Sequence, residues 1–389
     1  VKPANSVLSG LGTTVFEVMS RLAIEHGAIN LGQGFPDEDG PEDVRRAAAR
    51  AAIAGPNQYP PMMGLPALRE ALAAHARRFY GLDYDPAREI LVTTGATEAL
   101  AACLFGLIEP GDEAVVFEPL YDSYLPILRR AGAVTRLVRL EPPDWRLPRE
   151  ALAAAFGPRT KLVLLNSPMN PAAKVFDADE LALIAGHVRA HDAVAVCDEV
   201  YEHLVFDGRR HHPLATLPGM RERCLRIGSA GKIFSLTGWK VGWVEGPSAL
   251  LAPVAKAHQF LVFTTPPNLQ AAVAFGLAKD DAYFAGLEGA LAAKRDRLAA
   301  GLARAGLGVL ETRGTYFVSA DIRPLGFNGD DVAFCREITT EAGVAAVPLS
   351  AFYDGVALDH FVRFCFCKRD AVLDEAADRL ARHFGAGKA

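Results

Sequence analysis

From about residue 90 onward, short runs of β-branched and aliphatic residues alternate with longer alanine-rich amphipathic segments. No other feature restricts the fold so strongly, because parallel strands cannot be joined by a tight turn and need a crossover, usually a helix. The runs are "EILVTT" (89–94), "EAVVFE" (113–118), "VTRLVRL" (134–140), "KLVLLN" (161–166), "AVAVCDE" (193–199), "CLRIGS" (224–229) and "KVGWVEG" (240–246). They predict an α/β large domain with one mostly parallel seven-stranded sheet covered by helices. At 389 residues the chain exceeds one ordinary core, and an apolar fraction of 50% can fill two.

The pattern changes near residue 281. A long helical stretch, "AYFAGLEGALAAKRDRLAAGLARAG", leads to strand-like "TYFVSADI" and "HFVRFCFCK" and then to a closing amphipathic helix. The expected division is a large domain over 43–280, with residues 1–42 and 281–389 forming a smaller α+β domain and the N-terminal segment. A net charge of -5 disfavours a nucleic-acid surface, and no apolar run reaches membrane-spanning length. The opening "VKPANSVLSGLGTTVFEVMSRLA" has Ser, Thr, Glu and Arg where a secretory core would be apolar, so a cytoplasmic location is expected. The six cysteines show no C-x-x-C spacing and read as buried thiols. His211 and His212 of "DGRRHHP" read as a solvated turn, and no metal is expected. "GLGTTVF" has no strand before it and does not read as a dinucleotide loop.

Several strands end in polar residues: Thr94-Gly95, Asn166, Asp198 and Ser229. In open α/β sheets ligands bind at that carboxyl edge, so these ends predict one site assembled from distant segments. Lys232 of "SAGKIFSLTGWKVGW" follows the strand ending at Ser229. A lysine in a tight, partly apolar site can lose its proton and attack an aldehyde cofactor. Asp198 is placed to keep a pyridine nitrogen protonated, although alone it would read as a helix cap. In "NSPMNPAAKVF", Pro168 and Pro171 stiffen a loop from which the Asn170 amide can donate to a phenolate. Gly95, Ala96 and Thr97 open an alanine-rich helix whose free N–H groups suit a phosphate; alone they would read as a plain turn.

"NSPMNPAAKVF", "CDEVYEHLVF" and "SAGKIFSLTGWKVGW", in this order, resemble the motifs of the fold-type I, pyridoxal 5′-phosphate-dependent class I/II aminotransferases. "INLGQGFPDEDGP", "NQYPPMMGLPALREALA", "EPLYDSY", "GTYFVSADI" and "FVRFCFCK" extend the likeness over nearly the whole chain. They resemble the branch holding kynurenine, glutamine and methionine transaminases and cysteine-S-conjugate β-lyases.

The resemblance implies that Lys232 links covalently to the cofactor and later carries the substrate proton. It implies that Asp198 pairs with the ring nitrogen, that Asn170 and Tyr201 bond the ring hydroxyl, and that Tyr121 stacks on the ring. Ala96, Thr97, Ser229 and Lys240 would hold the phosphate, joined by Tyr59 from the other subunit of a homodimer. Arg363 would clamp the substrate carboxylate, with Gly34 beside it. Two departures from the family pattern stand out. Gly231 replaces a hydroxyl residue, and Lys240 stands where many relatives have arginine.

The reaction implied is ping-pong transfer of an amino group between an amino acid and a 2-oxo acid. Phe35, Tyr124, Phe263 and Tyr316, with Thr264 beside them, suggest a neutral aromatic, sulfur-containing or glutamine-like side chain, or else ordinary core packing. A cysteine-S-conjugate β-lyase is the chemical alternative, and a non-catalytic ligand sensor the remote one.

Overall fold

The computed structural model describes residues 2–355 and 357–385. Seven strands form the main sheet: β1 (Ile90–Thr93), β2 (Glu113–Glu118), β3 (Val134–Arg139), β4 (Thr160–Asn166), β5 (Val194–Asp198), β6 (Cys224–Ser229) and β7 (Gly242–Glu245). Their spatial order is β1-β7-β6-β5-β4-β2-β3. Every expected strand is present within two residues of its predicted ends. All neighbours are parallel except β7, which runs against both β1 and β6.

That reversal has a direct effect on the site. Running backward, β7 brings its amino end to the edge where the other strands finish, so Gly242 pairs with both Thr93 and Ser229. Lys240, two residues before Gly242, therefore stands at the same edge as Gly95, Asp198 and Lys232. β2 and β6 are buried along their whole length, as strands with helices on both faces must be.

Five helices matter here: α1 (Val15–Glu25), α2 (Pro66–Tyr80), α3 (Ala96–Leu107), α4 (Asp281–Arg304) and α5 (Asp370–Gly385). α2 opens with Pro66, whose missing N–H costs nothing in the first turn, and stops at Gly81, which takes the left-handed conformation at φ 66. The Asp280 carboxylate accepts from the Tyr283 N–H and fixes the start of α4. α4 and α5 pack together beside an antiparallel sheet of β8 (Gly308–Val309), β9 (Phe317–Asp321), β10 (Val347–Pro348) and β11 (Phe361–Cys365), ordered β10-β11-β9-β8. Ile29–Asn30 pairs in parallel with Val344–Ala345, fastening the N-terminal segment to this part of the chain.

One charge lies deep in the large sheet. Arg226 of β6 is 3% exposed and donates to Glu199 at 2.7 Å, Glu245 at 2.7 Å and Glu202 at 3.2 Å. A buried guanidinium requires such partners, and this cluster ties the loop after β5 to β6 and β7. All six cysteines are buried free thiols. Among the described residues no helix is long and apolar enough to cross a membrane.

Candidate active site

A cavity of about 370 Å³ lies at the carboxyl edge of the large sheet, and Phe317, Arg363 and Phe16 of α1 also line it. Of the residues singled out in the sequence, Gly34, Gly95, Ala96, Thr97, Tyr121, Asn170, Asp198, Tyr201, Ser229, Lys232, Lys240 and Arg363 all line it. They come from segments far apart in the chain, and the sheet register brings them together.

The Lys232 side chain leaves the short helix Ala230–Ile233 directly after β6. Its Nζ donates to the Tyr316 hydroxyl at 2.5 Å, and that hydroxyl donates to the Gly34 carbonyl at 2.6 Å. The amine also lies 5.5 Å from the centre of the Tyr201 ring. Removal from water pushes the Lys232 pKa down to about 8, with Cys367, Cys365 and Asp198 opposing the fall. An appreciable neutral fraction, which a nucleophilic amine needs, therefore exists near neutral pH.

Asp198, the last residue of β5, is 5% exposed. Burial pushes its pKa up to about 6, and the short bond from the Tyr124 hydroxyl to Oδ2, 2.6 Å, holds it from rising further. The Asn166 side chain donates to the Asp198 carbonyl at 2.9 Å and its Oδ1 accepts the Asn170 N–H at 2.8 Å, so one asparagine fixes both neighbours. A buried carboxylate with a pKa near 6 is a receptor for a ring cation.

Arg363 enters from β11 and is 1% exposed. Its Nη1 donates to Asn170 Oδ1 at 2.6 Å and its Nη2 to the Gly32 carbonyl at 2.9 Å, while Nε has no partner. The guanidinium lies 3.9 Å above the Phe317 ring and has no carboxylate partner among the described residues. A buried cation without a counter-ion, facing a cavity, fits a carboxylate that arrives with the substrate. With its oxygen taken by Arg363, the Asn170 amide is left with NH₂ to donate. Gly34 is required sterically: a Cβ there would lie 2.7 Å from Phe317 Cζ.

The anion end of the cavity is built on α3. Gly95, at φ 79, is its N-cap, and no side chain caps the helix. The Glu98 carboxylate in the first turn faces away, accepting from the Thr94 N–H at 3.0 Å and lying 3.1 Å from His258. Lys240, in the left-handed region at φ 53, lays its amine so close to Gly95 that a Cβ on that glycine would stand 3.1 Å from Nζ. Backbone N–H groups at a helix start, Ser229 and a lysine amine together suit a phosphate monoester. A buried amine of lowered pKa, a buried carboxylate, an amide free to donate and a helix start beside a lysine amine thus occur in one cavity, and these groups fit pyridoxal 5′-phosphate.

Some expected residues lie elsewhere. Phe35 is 47% exposed and off the cavity lining; its carbonyl accepts from Lys368 Nζ at 2.9 Å, and the same amine lies 4.6 Å from the centre of its ring. Tyr59 is 81% exposed and meets Phe263 edge-on at 5.4 Å, so in a single chain neither residue lines the cavity, and Thr264 does not either. Tyr124 borders the cavity but commits its hydroxyl to Asp198, and Tyr316 commits its own to Lys232 and Gly34. Both therefore serve the polar centre rather than an apolar side-chain pocket.

Sequence reasoning missed Phe16, Gln33, Leu100, Thr237 and Phe317, which also line the cavity. Thr237 bears on Gly231: a Cβ on that glycine would sit 3.0 Å from Thr237 Cα, so the hydroxyl residue at 237 occupies the ground next to the missing one. "SLTGWK" carried that hydroxyl in plain view, five residues after Lys232.

The model of the aminotransferase class I and II family matches residues 26–380. The chain is 50% identical over 387 residues to the probable N-succinyldiaminopimelate aminotransferase DapC of Mycobacterium tuberculosis, covering 97% of each. It is 40% identical over 375 residues to methionine aminotransferase of Escherichia coli, covering 96% of this chain and 97% of that one. The solved structure of the M. tuberculosis N-succinyldiaminopimelate aminotransferase superposes with a TM-score of 0.95 over 98% of this chain and 100% of that one, at 50% identity. With the cavity described above, these likenesses settle the family: the chain belongs to the class I and II aminotransferases, enzymes that move an amino group between an amino acid and a 2-oxo acid with pyridoxal 5′-phosphate as cofactor.

Proposed function

We propose that this aminotransferase takes as donor an α-amino acid whose side chain is uncharged near the reacting carbon, methionine-like or aromatic, and acts as a homodimer. The observation that carries this reading is the set of cations in the cavity. Lys232 and Lys240 would meet the aldehyde and the phosphate, which leaves Arg363 as the only arginine on the lining among the described residues of one chain, and the α-carboxylate would occupy it. An acidic side chain would need a further cation, and among the described residues of this chain the lining has none left over for it. Phe16, Leu100, Tyr121 and Phe317 instead offer apolar surface.

Pyridoxal 5′-phosphate, when bound, supplies an electron sink that lets the Cα–H bond of an attached amino acid break. Asp198 would hold the ring nitrogen protonated, helped by the hydrogen bond from Tyr124. Asn170 and Tyr201 would donate to the ring oxygen, and the α3 start, Ser229, Thr237 and Lys240 would hold the phosphate. Arg363 would orient the substrate by its carboxylate and so aim the Cα–H at Lys232. Lys232 would take the proton from Cα and return it, with Tyr316 steadying the amine by hydrogen bonding.

The division into a unit of residues 43–280 and one of 1–42 with 281–389 belongs to the same proposal, because Arg363 and Gly34 come from the second unit and Lys232 and Asp198 from the first. The dimer is supported by apolar surface around Tyr59: Phe260 is 83% exposed, and Leu261, Val262 and Phe263 follow it. From such a face Tyr59 would reach the phosphate of the partner's site.

A second reading, N-succinyldiaminopimelate as donor, is favoured by the 50% identity to the M. tuberculosis relative. The test is a donor panel of methionine, phenylalanine, glutamine, kynurenine, aspartate and N-succinyl-LL-diaminopimelate, each with 2-oxoglutarate. Methionine or an aromatic donor with the highest kcat/KM upholds the first reading. A preference for the succinyl compound replaces it with the second, and a preference for aspartate refutes both.

A further inference from the structure

Outside the cavity, two histidines far apart in the chain meet nitrogen to nitrogen. His75 Nε2 of α2 lies 2.7 Å from His203 Nε2 of the loop after β5. Glu202 adds a carboxylate, and the ligand atoms of all three residues lie within 4.8 Å of one another. We propose that His75, His203 and Glu202 bind a divalent transition-metal cation of the zinc type, at a site separate from the amino-transfer cavity.

At 2.7 Å one imidazole must accept with its lone pair while the other donates a proton, so a single proton occupies the point where the two rings converge. A metal ion can replace it. Two bonds of ~2.0–2.1 Å at a tetrahedral angle would set the nitrogens about 3.4 Å apart, a swing of under about 1 Å for two ring side chains. Two imidazoles and a carboxylate, with a solvent molecule in the fourth position, form a ligand set that zinc accepts.

Arg226 Nη2 donates to Glu202 at 3.2 Å and orients the carboxylate from behind, as an outer partner does at metal centres.

The walls are aromatic. The His203 ring lies 4.5 Å from Phe284 and 4.7 Å from Phe79, and the His75 ring 4.8 Å from Phe79. His75 is 3% exposed, whereas His203 is only half-buried and gives the ion a way in. None of the three residues lines the amino-transfer cavity. Glu202 and His203 nevertheless directly follow Tyr201, so a bound ion would pin the loop that carries Asp198 and Tyr201 to α2.

The test is titration of chelator-treated holoenzyme with Co²⁺, read by its visible ligand-field bands, followed by displacement with Zn²⁺. The expected result is one Co²⁺ per chain and a melting temperature that rises with Zn²⁺. His75→Gln and His203→Gln should each weaken binding by more than the roughly 10- to 100-fold that loss of an outer partner costs, with cofactor absorbance unchanged. Binding of Co²⁺ by His75→Gln as tight as by the wild type, or no binding by the wild type, overturns the proposal. Should the variants fail to fold, X-ray absorption on the zinc-loaded wild type decides. A shell with two imidazoles supports the site, and a sulfur shell refutes it.

Discussion

Tyr124→Phe tests the electrostatics of the ring-nitrogen site with the least disturbance. The substitution keeps the buried ring and deletes only the hydroxyl that donates to Asp198 Oδ2 at 2.6 Å. A hydrogen bond to a charged acceptor contributes ~1.5–3 kcal/mol, and one pKa unit corresponds to ~1.36 kcal/mol, so its loss raises the Asp198 pKa by about 1–2 units. Starting from about 6, the carboxyl would then titrate near 7–8, as an order-of-magnitude expectation. At pH 7 the ionised fraction falls from about nine-tenths to between about one-half and one-tenth.

The direction follows from which form the cofactor prefers. A protonated ring nitrogen favours ionised Asp198, so affinity is full above the Asp198 pKa and is lost as pH falls through it. The assay is pyridoxal 5′-phosphate binding to apoenzyme by quenching of intrinsic fluorescence across pH 5–9, comparing wild type, Tyr124→Phe and Asp198→Asn. Titration of the cofactor phosphate is common to all three and cancels in the comparison. The acid limb of the Tyr124→Phe profile should stand about 1–2 pH units higher than that of the wild type, and Asp198→Asn should lack it. An unmoved limb in Tyr124→Phe would show that this hydroxyl does not hold the Asp198 proton equilibrium, and the reasoning fails.

Lys232→Ala should fold and bind cofactor without the visible absorbance of the linked form; turnover near the wild-type rate would remove Lys232 from the reaction. Arg363→Lys keeps a charge but loses the fork that engages Asn170 and Gly32, so kcat/KM for amino acids should fall about 10- to 150-fold, equivalent to ~1.5–3 kcal/mol. Its cofactor absorbance should not change, and steady-state kinetics beside a spectrum separate the two effects. Gly34→Ala drives a methyl to within 2.7 Å of Phe317 Cζ; overpacking of ~1–3 kcal/mol should lower the melting temperature and raise KM for amino acids more than it lowers kcat. An unaltered KM would show that Phe317 yields without disturbing Arg363.

Much of this was legible because strand periodicity is a local property. "EAVVFE" and "CLRIGS" could be placed to the residue, since a β-branched run between alanine-rich helices has few other uses. The polar strand ends pointed to one edge for the same reason. What the sequence withheld depends on partners distant in the chain. The reversed direction of β7 cannot be read from "KVGWVEG", and with it goes the approach of Lys240 to Gly95.

Phe16 and Gln33 belong to the N-terminal segment, which Ile29–Asn30 fastens to Val344–Ala345 by a two-residue ladder with no pattern of its own. Phe35 and Phe263 do not line the cavity of a single chain, and apolar character next to a motif says nothing about which way the backbone turns after it: the Phe35 carbonyl meets Lys368, and the Phe263 ring meets Tyr59. The arginine in the middle of "CLRIGS" was a signal left unread: a charge inside a buried strand demands acids around it, and those acids lead to His75 and His203.

The antiparallel course of β7 also sets the mechanics of cofactor retention. Because Ser229 and Gly242 are paired across the sheet, the segment between them is stapled shut at its base, and both lysines proposed to hold the cofactor ride on it. Their spacing is therefore set by the length of one tether. Gaining or losing even one residue between 230 and 241 would pull the covalent anchor and the phosphate anchor out of step, whereas loops on the opposite rim of the sheet can lengthen without consequence for either.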